Sequence, residues 1–312
     1  MNPPARKLRR PSFSHRGLAT SSPTPSVVLG LLALGITAGA CAANRGVPAA
    51  MVGWSDPVPP VRILGNVHFV GTTELGIFLI TTPAGHILLD SGFEARVPEL
   101  RQRVESLGFR FEDIKLLLAS HAHIDHVQGH ALVRRLTGAR VVASRADAGV
   151  IASGGQGEWA YGSRFAWTPC PVDAIVEDGG QIELGGTTLT AHITPGHTRG
   201  ATTWTMRTAE TAGGPPLAVV FFPSATVPPG ARLVDNPDYP TVIADYRRSF
   251  ARWRQMPCDV FLGAHTAFFG FEDKVKRLRA GARPNPFIDP AGFARALAGF
   301  EERFEAVVAS QS

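Results

Sequence analysis

Histidine is concentrated in one short segment of this chain. Residues 120–130, SHAHIDHVQGH, hold four of the ten histidines among 312 residues, and an aspartate stands between them. Two other histidines, His197 and His265, each follow an apolar run that is typical of a strand, and each stands in a turn-like sequence. Loops at the ends of strands usually carry the chemistry of a scaffold. These three segments are therefore the candidates for a functional site.

The spacing of the side chains in residues 120–130 is typical of a metal site. Alternate side chains of an extended chain point the same way, so His121 and His123 would face one point. If the chain then turns into a helix, Asp125 and His126 would reach a second point nearby. Imidazole and carboxylate ligands suit zinc and need no thiolate. We predict that two zinc ions bind here, each with three protein ligands: His121, His123 and His197 for one, and Asp125, His126 and His265 for the other.

Three protein ligands leave one coordination position open, which separates a catalytic zinc site from a structural one. A chance polar loop is the alternative, but the two further turn histidines downstream make it the weaker interpretation. The remaining histidines of the domain lack this setting and are not predicted as ligands; they are His68, His86, His130 and His192. His192 alternates with its strand neighbours, and we expect it to be a packed or surface residue.

The N-terminal segment has the organisation of an export signal. Basic residues precede an apolar run from Val27 to Ala40, and small residues stand just before Cys41. This order predicts a secretory signal peptide over residues 1–41, an irregular lead-in over 42–60 and one domain over 61–312. The apolar run is shorter than the ~20 residues of a membrane span, although an N-terminal anchor is the alternative. We expect an exported, periplasmic protein, and Cys41 leaves open a lipoprotein signal with a lipid anchor on that cysteine.

The excess positive charge of the chain lies in this leader. The net charge is +5, but six of the 31 basic residues and none of the 26 acidic residues fall in residues 1–46. The remainder carries a net charge of −1, so charge gives no support to nucleic-acid binding. Cys170 and Cys258 remain after removal of the leader. Export would allow them to form a disulfide, which the sequence leaves open.

The rest of the chain alternates short β-like runs with amphipathic helices. The apolar run at 114–120, IKLLLAS, predicts a strand that is buried on both faces. The pair Gly185-Gly186 predicts the tip of a hairpin over 181–194. Apolar residues at helical spacing predict helices near 97–107, 129–136, 242–253 and 293–307. The pattern indicates an α/β domain in which sheets are covered by helices.

Three of these segments also resemble a known family. The motifs HAHIDH, PGHT and GAHT resemble those of the metallo-β-lactamase superfamily, and the resemblance covers roughly residues 52–312. It implies a four-layer αβ/βα sandwich with the metals at one edge of two packed sheets. It also implies that Asp90, in ILLDSG, is a buried aspartate that organises loops and binds no metal.

The segment VVFFPSATV decides between classes within the superfamily. Glyoxalase-like, lactonase-like and nuclease-like members usually carry a metal-bridging aspartate at the matching strand end, where this chain has Ser224. A serine with all-His/Asp ligands resembles the subclass B3 metallo-β-lactamases. In that subclass hydroxyls after the strand bind the substrate carboxylate, which corresponds to Ser224 and Thr226; ordinary turn chemistry is the alternative. Gln128-Gly129 departs from the Gly-Gly that often follows the motif.

The resemblance implies a zinc-dependent hydrolase that opens the β-lactam ring of penicillins, cephalosporins and carbapenems and so confers antibiotic resistance. A metal-bound hydroxide would attack the lactam carbonyl, and Asp125 would be catalytic because it orients that hydroxide. We expect a monomer that acts on a small-molecule β-lactam, without a protein or nucleic-acid partner. Two alternatives are an exported hydrolase of lactones or thioesters with the same fold, and a zinc-binding module without catalysis.

Overall fold

The computed structural model of the protein describes residues 46–312. The predicted signal peptide, residues 1–41, lies outside the described residues, as does the start of the lead-in. Across the described part of the chain, no helix combines the length and apolar character needed to cross a membrane. The prediction of an irregular lead-in is wrong in part, because Ala49–Ser55 forms a 3₁₀ helix. Pro48 precedes this helix with a φ of −55°, which the proline ring favours at helix starts.

The strands of residues 46–312 form two sheets. The first sheet has seven strands in sequence order, antiparallel from β1 to β4 and parallel from β4 to β7. The second sheet has five strands in the order β12-β11-β10-β9-β8, and only β11 and β12 are parallel neighbours. The strands of the first sheet are Val61–Leu64 (β1), Val67–Phe69 (β2), Phe78–Thr82 (β3), Gly85–Leu89 (β4), Ile114–Leu118 (β5), Arg140–Ser144 (β6) and Ala174–Val176 (β7). Those of the second are Gln181–Leu184 (β8), Thr187–Ile193 (β9), Thr202–Ala209 (β10), Pro216–Phe222 (β11) and Val260–Gly263 (β12).

Strand direction brings the candidate segments to one edge of each sheet. In the first sheet β4 and β5 are parallel, so Asp90 after β4 and the histidine segment after β5 leave the same edge; the Asp90 amide donates to the Leu118 carbonyl at 2.9 Å. In the second sheet β9, β11 and β12 run in one direction, because β10 is antiparallel to both β9 and β11. The turns that follow these three strands therefore lie together as well.

Alternation along the strands separates two apolar cores. In β5, Leu116 and Leu118 belong to the core that the two sheets share, whereas Leu117 belongs to the core beneath the helices of the first sheet. Period-2 alternation with both faces buried is what the run IKLLLAS predicts. The predicted four-layer αβ/βα sandwich is confirmed, with helices over the outer face of each sheet.

The helices form the outer layers. They are Val97–Ser106 (α1), Ile124–Val127 (α2), His130–Thr137 (α3), Arg145–Ser153 (α4), Val242–Trp253 (α5), Phe271–Arg279 (α6) and Gly292–Gln311 (α7). Buried apolar residues of α1, α3 and α4 pack on the first sheet, and those of α5 and α7 join the core that includes the second sheet. The four predicted helices correspond to α1, α3, α5 and α7. Gly138 ends α3 in the left-handed conformation, with a φ of 70°, which glycine adopts without strain.

Cys170 and Cys258 are both free thiols. Cys170 is buried in the core beneath the helices of the first sheet, while Cys258 packs against the core shared by the two sheets. Their placement in different layers settles the question that the sequence leaves open, because this structure contains no Cys170–Cys258 disulfide.

Candidate metal centre

The segment after β5 and the turns after β9 and β12 meet at one edge of the two sheets. The structure brings the six predicted ligands together in two groups, namely His121, His123 and His197, and Asp125, His126 and His265. In each group one candidate ligand atom from every residue lies within 4.8 Å of the others. The side chains thus converge, while the role of each one as a metal ligand stays a prediction.

The first group consists of three imidazole rings. The ring centroids of His121 and His123 are 4.9 Å apart, and that of His197 lies 4.7 and 4.5 Å from them. Nδ1 of His197 hydrogen-bonds the Thr226 carbonyl oxygen at 2.7 Å, and Nδ1 of His121 lies 3.0 Å from Ser120 Oγ. Nε2 of His121 is buried and has no hydrogen-bond partner among the described residues. Anchoring at Nδ1 leaves Nε2 of both rings for a metal.

The second group combines two imidazole rings with a carboxylate. Nε2 of His126 lies 3.1 Å from Asp125 Oδ2 and 3.4 Å from Nε2 of His265, and Nε2 of His265 lies 3.5 Å from the same carboxylate oxygen. The backbone of His265 forms an antiparallel bridge with Leu75, in the connection between β2 and β3. Trp54, from the 3₁₀ helix of the lead-in, packs on His265 with the two rings nearly perpendicular and their centroids 5.5 Å apart. Residues 61–312 alone therefore do not account for all of the contacts around this group.

Asp90 holds the histidine segment in place, as the resemblance implies. Its carboxylate accepts hydrogen bonds from the Ser120 amide at 2.7 Å and the Ser120 hydroxyl at 2.6 Å, and it lies 3.2 Å from Nδ1 of His126. The backbone φ of Asp90 is 64°, a left-handed conformation that costs energy for a residue with a side chain. The contacts of the carboxylate stabilise this conformation and leave Nε2 of His126 facing the second group.

The protonation states of these side chains suit a cation. Burial and the neighbouring imidazoles lower the pKa of His121 and His197 well below the ordinary value, and burial lowers the pKa of His265 to about 4. His126 differs: burial lowers its pKa, but the carboxylates beside it outweigh this effect and raise its pKa to about 10. Burial raises the pKa of Asp125, and the adjacent imidazoles more than reverse this, so the pKa is lowered. Three neutral imidazoles and an ionised carboxylate fit a metal, which would replace the proton on His126.

A buried carboxylate that sequence reasoning missed ties two of the loops together. Asp147, in α4, accepts hydrogen bonds from the Ala122 amide at 2.9 Å, the Thr198 hydroxyl at 2.8 Å and the Gly200 amide at 2.8 Å. Ala122 lies between two ligand histidines, and Thr198 follows His197. Burial raises the pKa of Asp147, and its hydrogen-bond donors oppose that shift. Asp147 therefore holds together the two loops that carry the first group of histidines.

A cavity of about 320 Å³ opens onto both groups, and its walls are largely apolar. Its lining includes His123, Asp125, His197 and His265 from the two groups, and Thr226. Aromatic side chains make up much of the remaining wall; they are Trp54, Tyr161, Phe165, Trp167 and Phe268. A mostly apolar cleft with a few convergent polar groups is typical of a small-molecule site.

The two predicted substrate-binding hydroxyls are placed differently. Thr226 lines the cavity, whereas Ser224 is only 1% exposed and is not part of the lining. Ser224 Oγ lies 3.0 Å from Thr226 Oγ1 and accepts a hydrogen bond from the Thr226 amide at 3.1 Å. In this structure Ser224 therefore supports Thr226, and direct contact of Ser224 with a substrate stays a prediction.

Comparisons with known proteins agree with this geometry. The sequence profile of the metallo-β-lactamase superfamily matches residues 77–208. The native FEZ-1 metallo-β-lactamase from Legionella gormanii is 42% identical in sequence, with a TM-score of 0.80 over 82% of this chain and 98% of that one. The chain belongs to the metallo-β-lactamase superfamily.

Two further solved relatives carry the subclass in their names. BJP-1 of Bradyrhizobium japonicum, a subclass B3 metallo-β-lactamase, is 36% identical with a TM-score of 0.78 over 84% of this chain and 98% of that one. LRA-12 from an Alaskan soil metagenome, a class B3 di-zinc metallo-β-lactamase, is 28% identical with a TM-score of 0.78 over 83% and 98%. The chain spans about half, or less, of the length of the curated hydrolases it matches.

Proposed function

We propose that the protein is a zinc-dependent β-lactamase that opens the ring of penicillins, cephalosporins and carbapenems and so confers resistance to them. The observation that carries the proposal is the convergence of six nitrogen and oxygen donors, in two groups of three, beside one mostly apolar cavity that four of the six residues line. The solved relatives named above are metallo-β-lactamases, and one of them is a di-zinc enzyme, which supports both the reaction and the metal.

Each part of the site would have a separate role in the reaction. Zinc held by the two groups would supply a Lewis acid and lower the pKa of water to ~7. Asp125 lines the cavity, and its ionised carboxylate would orient the attacking water. The Thr226 hydroxyl would bind the substrate carboxylate, and Ser224 would position that hydroxyl. The aromatic wall would exclude bulk water and pack on the substituents of the substrate.

The experiment that tests this function compares three substrate classes on the purified protein. A chromogenic cephalosporin should be hydrolysed, with little or no turnover of an acyl-homoserine lactone or a glutathione thioester. His197→Ala should abolish hydrolysis. His192→Ala is the matched control, because His192 belongs to neither group; its Nε2 lies 2.9 Å from the Thr205 hydroxyl, and its loss should leave the rate unchanged. If the protein hydrolysed the lactone or the thioester but not the cephalosporin, the proposed substrate class would be wrong.

We also propose export to the periplasm after removal of residues 1–41. The support is the basic, apolar and small-residue order of the N-terminal sequence. Mass spectrometry of the mature protein from a bacterial host tests this. A chain that begins at residue 42 fits simple cleavage, an acylated N-terminal Cys41 fits a lipoprotein, and an intact N-terminus would contradict both.

A further inference from the structure

The histidines of the two groups differ in which ring nitrogen the protein anchors. Three of them have Nδ1 2.7–3.2 Å from a fixed oxygen atom; they are His121, His126 and His197. His123 differs from these three, because its Nε2 faces Glu158 Oε1 at 3.5 Å. Both of these atoms are buried, and neither has a hydrogen-bond partner within the described part of the chain. This orientation leaves Nδ1 of His123 for a metal.

The carboxylate of Glu158 is fixed from its other side. Glu158 is 6% exposed, and its Oε2 accepts hydrogen bonds from the Ala160 amide at 2.9 Å and the Tyr161 amide at 2.7 Å. These two bonds determine the direction of Oε1, which is aimed at His123. A buried carboxylate oxygen without a donor is unfavourable, so the N–H of His123 is the donor that this geometry calls for.

The segment that carries Glu158 contacts the first group at two more points. The indole N–H of Trp159 donates to the His197 carbonyl oxygen at 3.0 Å. The Tyr161 ring lies 5.3 Å from the His123 ring. Residues 154–162 therefore touch two of the three histidines of the first group, and Glu158 is the member of this segment with an unused buried acceptor.

We propose that Glu158 is a positioning residue for His123. It accepts a hydrogen bond from the Nε2–H of His123, which fixes the tautomer and ring orientation that present Nδ1 to the metal. It thereby links residues 154–162, which form part of the cavity wall, to the first metal group. Such partners of ligating histidines tune metal affinity. The inference rests on the part of the proposed function in which these histidines bind metal, and it is independent of the substrate.

The competing interpretation is that Glu158 serves only the loop, through Ala160 and Tyr161. Glu158→Gln separates the two roles. Its side-chain oxygen can still accept both backbone N–H groups, since the reverse orientation would set an NH₂ against two donors. Its NH₂ then faces His123 and cannot accept the N–H. The variant therefore keeps the loop contacts and removes the contact with His123.

Zinc affinity, measured by competition with a chromogenic chelator, is the primary readout. Glu158→Gln should lower the affinity of one of the two zinc equivalents about 10–100-fold, leave the other within about threefold, and unfold at the wild-type temperature when metal-free. Glu177→Gln is the control, because Glu177 pairs with Arg145 on the surface and should bind zinc as wild type does. Unchanged affinity of both equivalents in Glu158→Gln would overturn the proposal.

Cobalt substitution supplies a readout that a purely structural role would not change. The visible absorption bands of the cobalt-loaded Glu158→Gln protein should shift at the first equivalent, because the orientation of one imidazole ligand changes. Glu158→Ala should show the same shift and also alter the fluorescence of Trp159, since the loop contacts are lost as well. Wild-type bands in both variants would contradict the proposal. A wild-type protein that binds two zinc ions without hydrolysing β-lactams would refute the proposed function and leave this inference standing.

Discussion

Replacing Asp147 should lower both the stability of the protein and the affinity of the first group of histidines for zinc. Asp147 accepts three hydrogen bonds, two at Oδ2 from the Ala122 amide and the Thr198 hydroxyl, and one at Oδ1 from the Gly200 amide. Its exposed fraction is 2%, so water cannot replace a lost partner. In Asp147→Asn, one oxygen can keep the pair at the Oδ2 position, while the NH₂ group faces the Gly200 N–H.

The expected loss follows from these contacts. One buried hydrogen bond to a charged acceptor contributes about 1.5–3 kcal/mol. Desolvation, which raises the pKa of Asp147, offsets part of that gain. We therefore expect Asp147→Asn to lower the free energy of unfolding by about 2 kcal/mol. Asp147→Ala leaves three buried donors without an acceptor, and the loss should reach about 5 kcal/mol.

Urea unfolding of the metal-free protein measures these losses, and chelator competition measures zinc affinity. Asp173→Asn is the matched control, since Asp173 also accepts from a backbone amide, that of Val141 at 2.8 Å, but is partly exposed and pairs with Arg134. Asp173→Asn should lower the free energy of unfolding by less than about 1 kcal/mol and leave zinc affinity unchanged. The reasoning is refuted if Asp147→Ala unfolds at the wild-type urea concentration and binds zinc with wild-type affinity.

Three further outcomes are expected. Ser224→Ala should raise KM and keep most of kcat, whereas Asp125→Asn should lose kcat, because Ser224 acts through Thr226; equal losses in steady-state assays would remove this division of roles. Chelator treatment should abolish cephalosporin hydrolysis and lower the melting temperature, and added zinc should restore both; hydrolysis that survives metal removal, verified by elemental analysis, would speak against a metal-dependent reaction. Burial lowers the pKa of His68 to about 4 from an ordinary 6.5, so its contribution to stability is present above pH 6.5 and is lost as pH falls toward 4. In urea unfolding at pH 7 and pH 4, His68→Phe should reduce the acid-induced loss by about 3 kcal/mol, and an identical loss in both proteins would contradict this assignment.

The histidine segment was predictable because its signal is local. Alternation in an extended stretch puts His121 and His123 on one side, and the short helix α2 carries Asp125 and His126. The convergence of His197 with them depends on sheet topology, which the sequence indicated only through strand-then-turn patterns. The cysteines show the opposite case, because no local pattern determines whether Cys170 and Cys258 pair. The answer depends on their positions in different layers of the fold.

Asp147 and Glu158 were not predictable because their contacts are long-range. Asp147 lies 25 residues from Ala122 and 53 from Gly200 along the chain, and no spacing rule connects them. The helix that carries Asp147, α4, did leave a signal: Ser144 caps its start through the Asp147 amide, and Gly154 ends it with a φ of 74°. Reading Ser144 and Gly154 as caps would have found the helix, though not the role of its aspartate.

The contribution of the lead-in to the site was not predictable for a similar reason. The sequence of residues 42–60 has no periodicity that predicts a contact with the site, yet Trp54 packs on the His265 ring and lines the cavity. An aromatic side chain in an apparently irregular segment gives no hint of which surface it will cover. Long-range contacts explain its position: the Thr72 and Thr73 hydroxyls donate to the carbonyl oxygens of Trp54 and Gly53, and the nearby Leu75 bridges to His265 at the end of β12.

The most direct test of the central claim is anomalous diffraction at the zinc absorption edge from crystals of the zinc-loaded protein. Two anomalous peaks should appear, one among His121, His123 and His197 and the other among Asp125, His126 and His265. The peaks should be ~3.5–4 Å apart, as in two-metal hydrolytic sites. Zinc bound elsewhere, or no peak within either group, would contradict the claim that these six side chains form a two-metal centre.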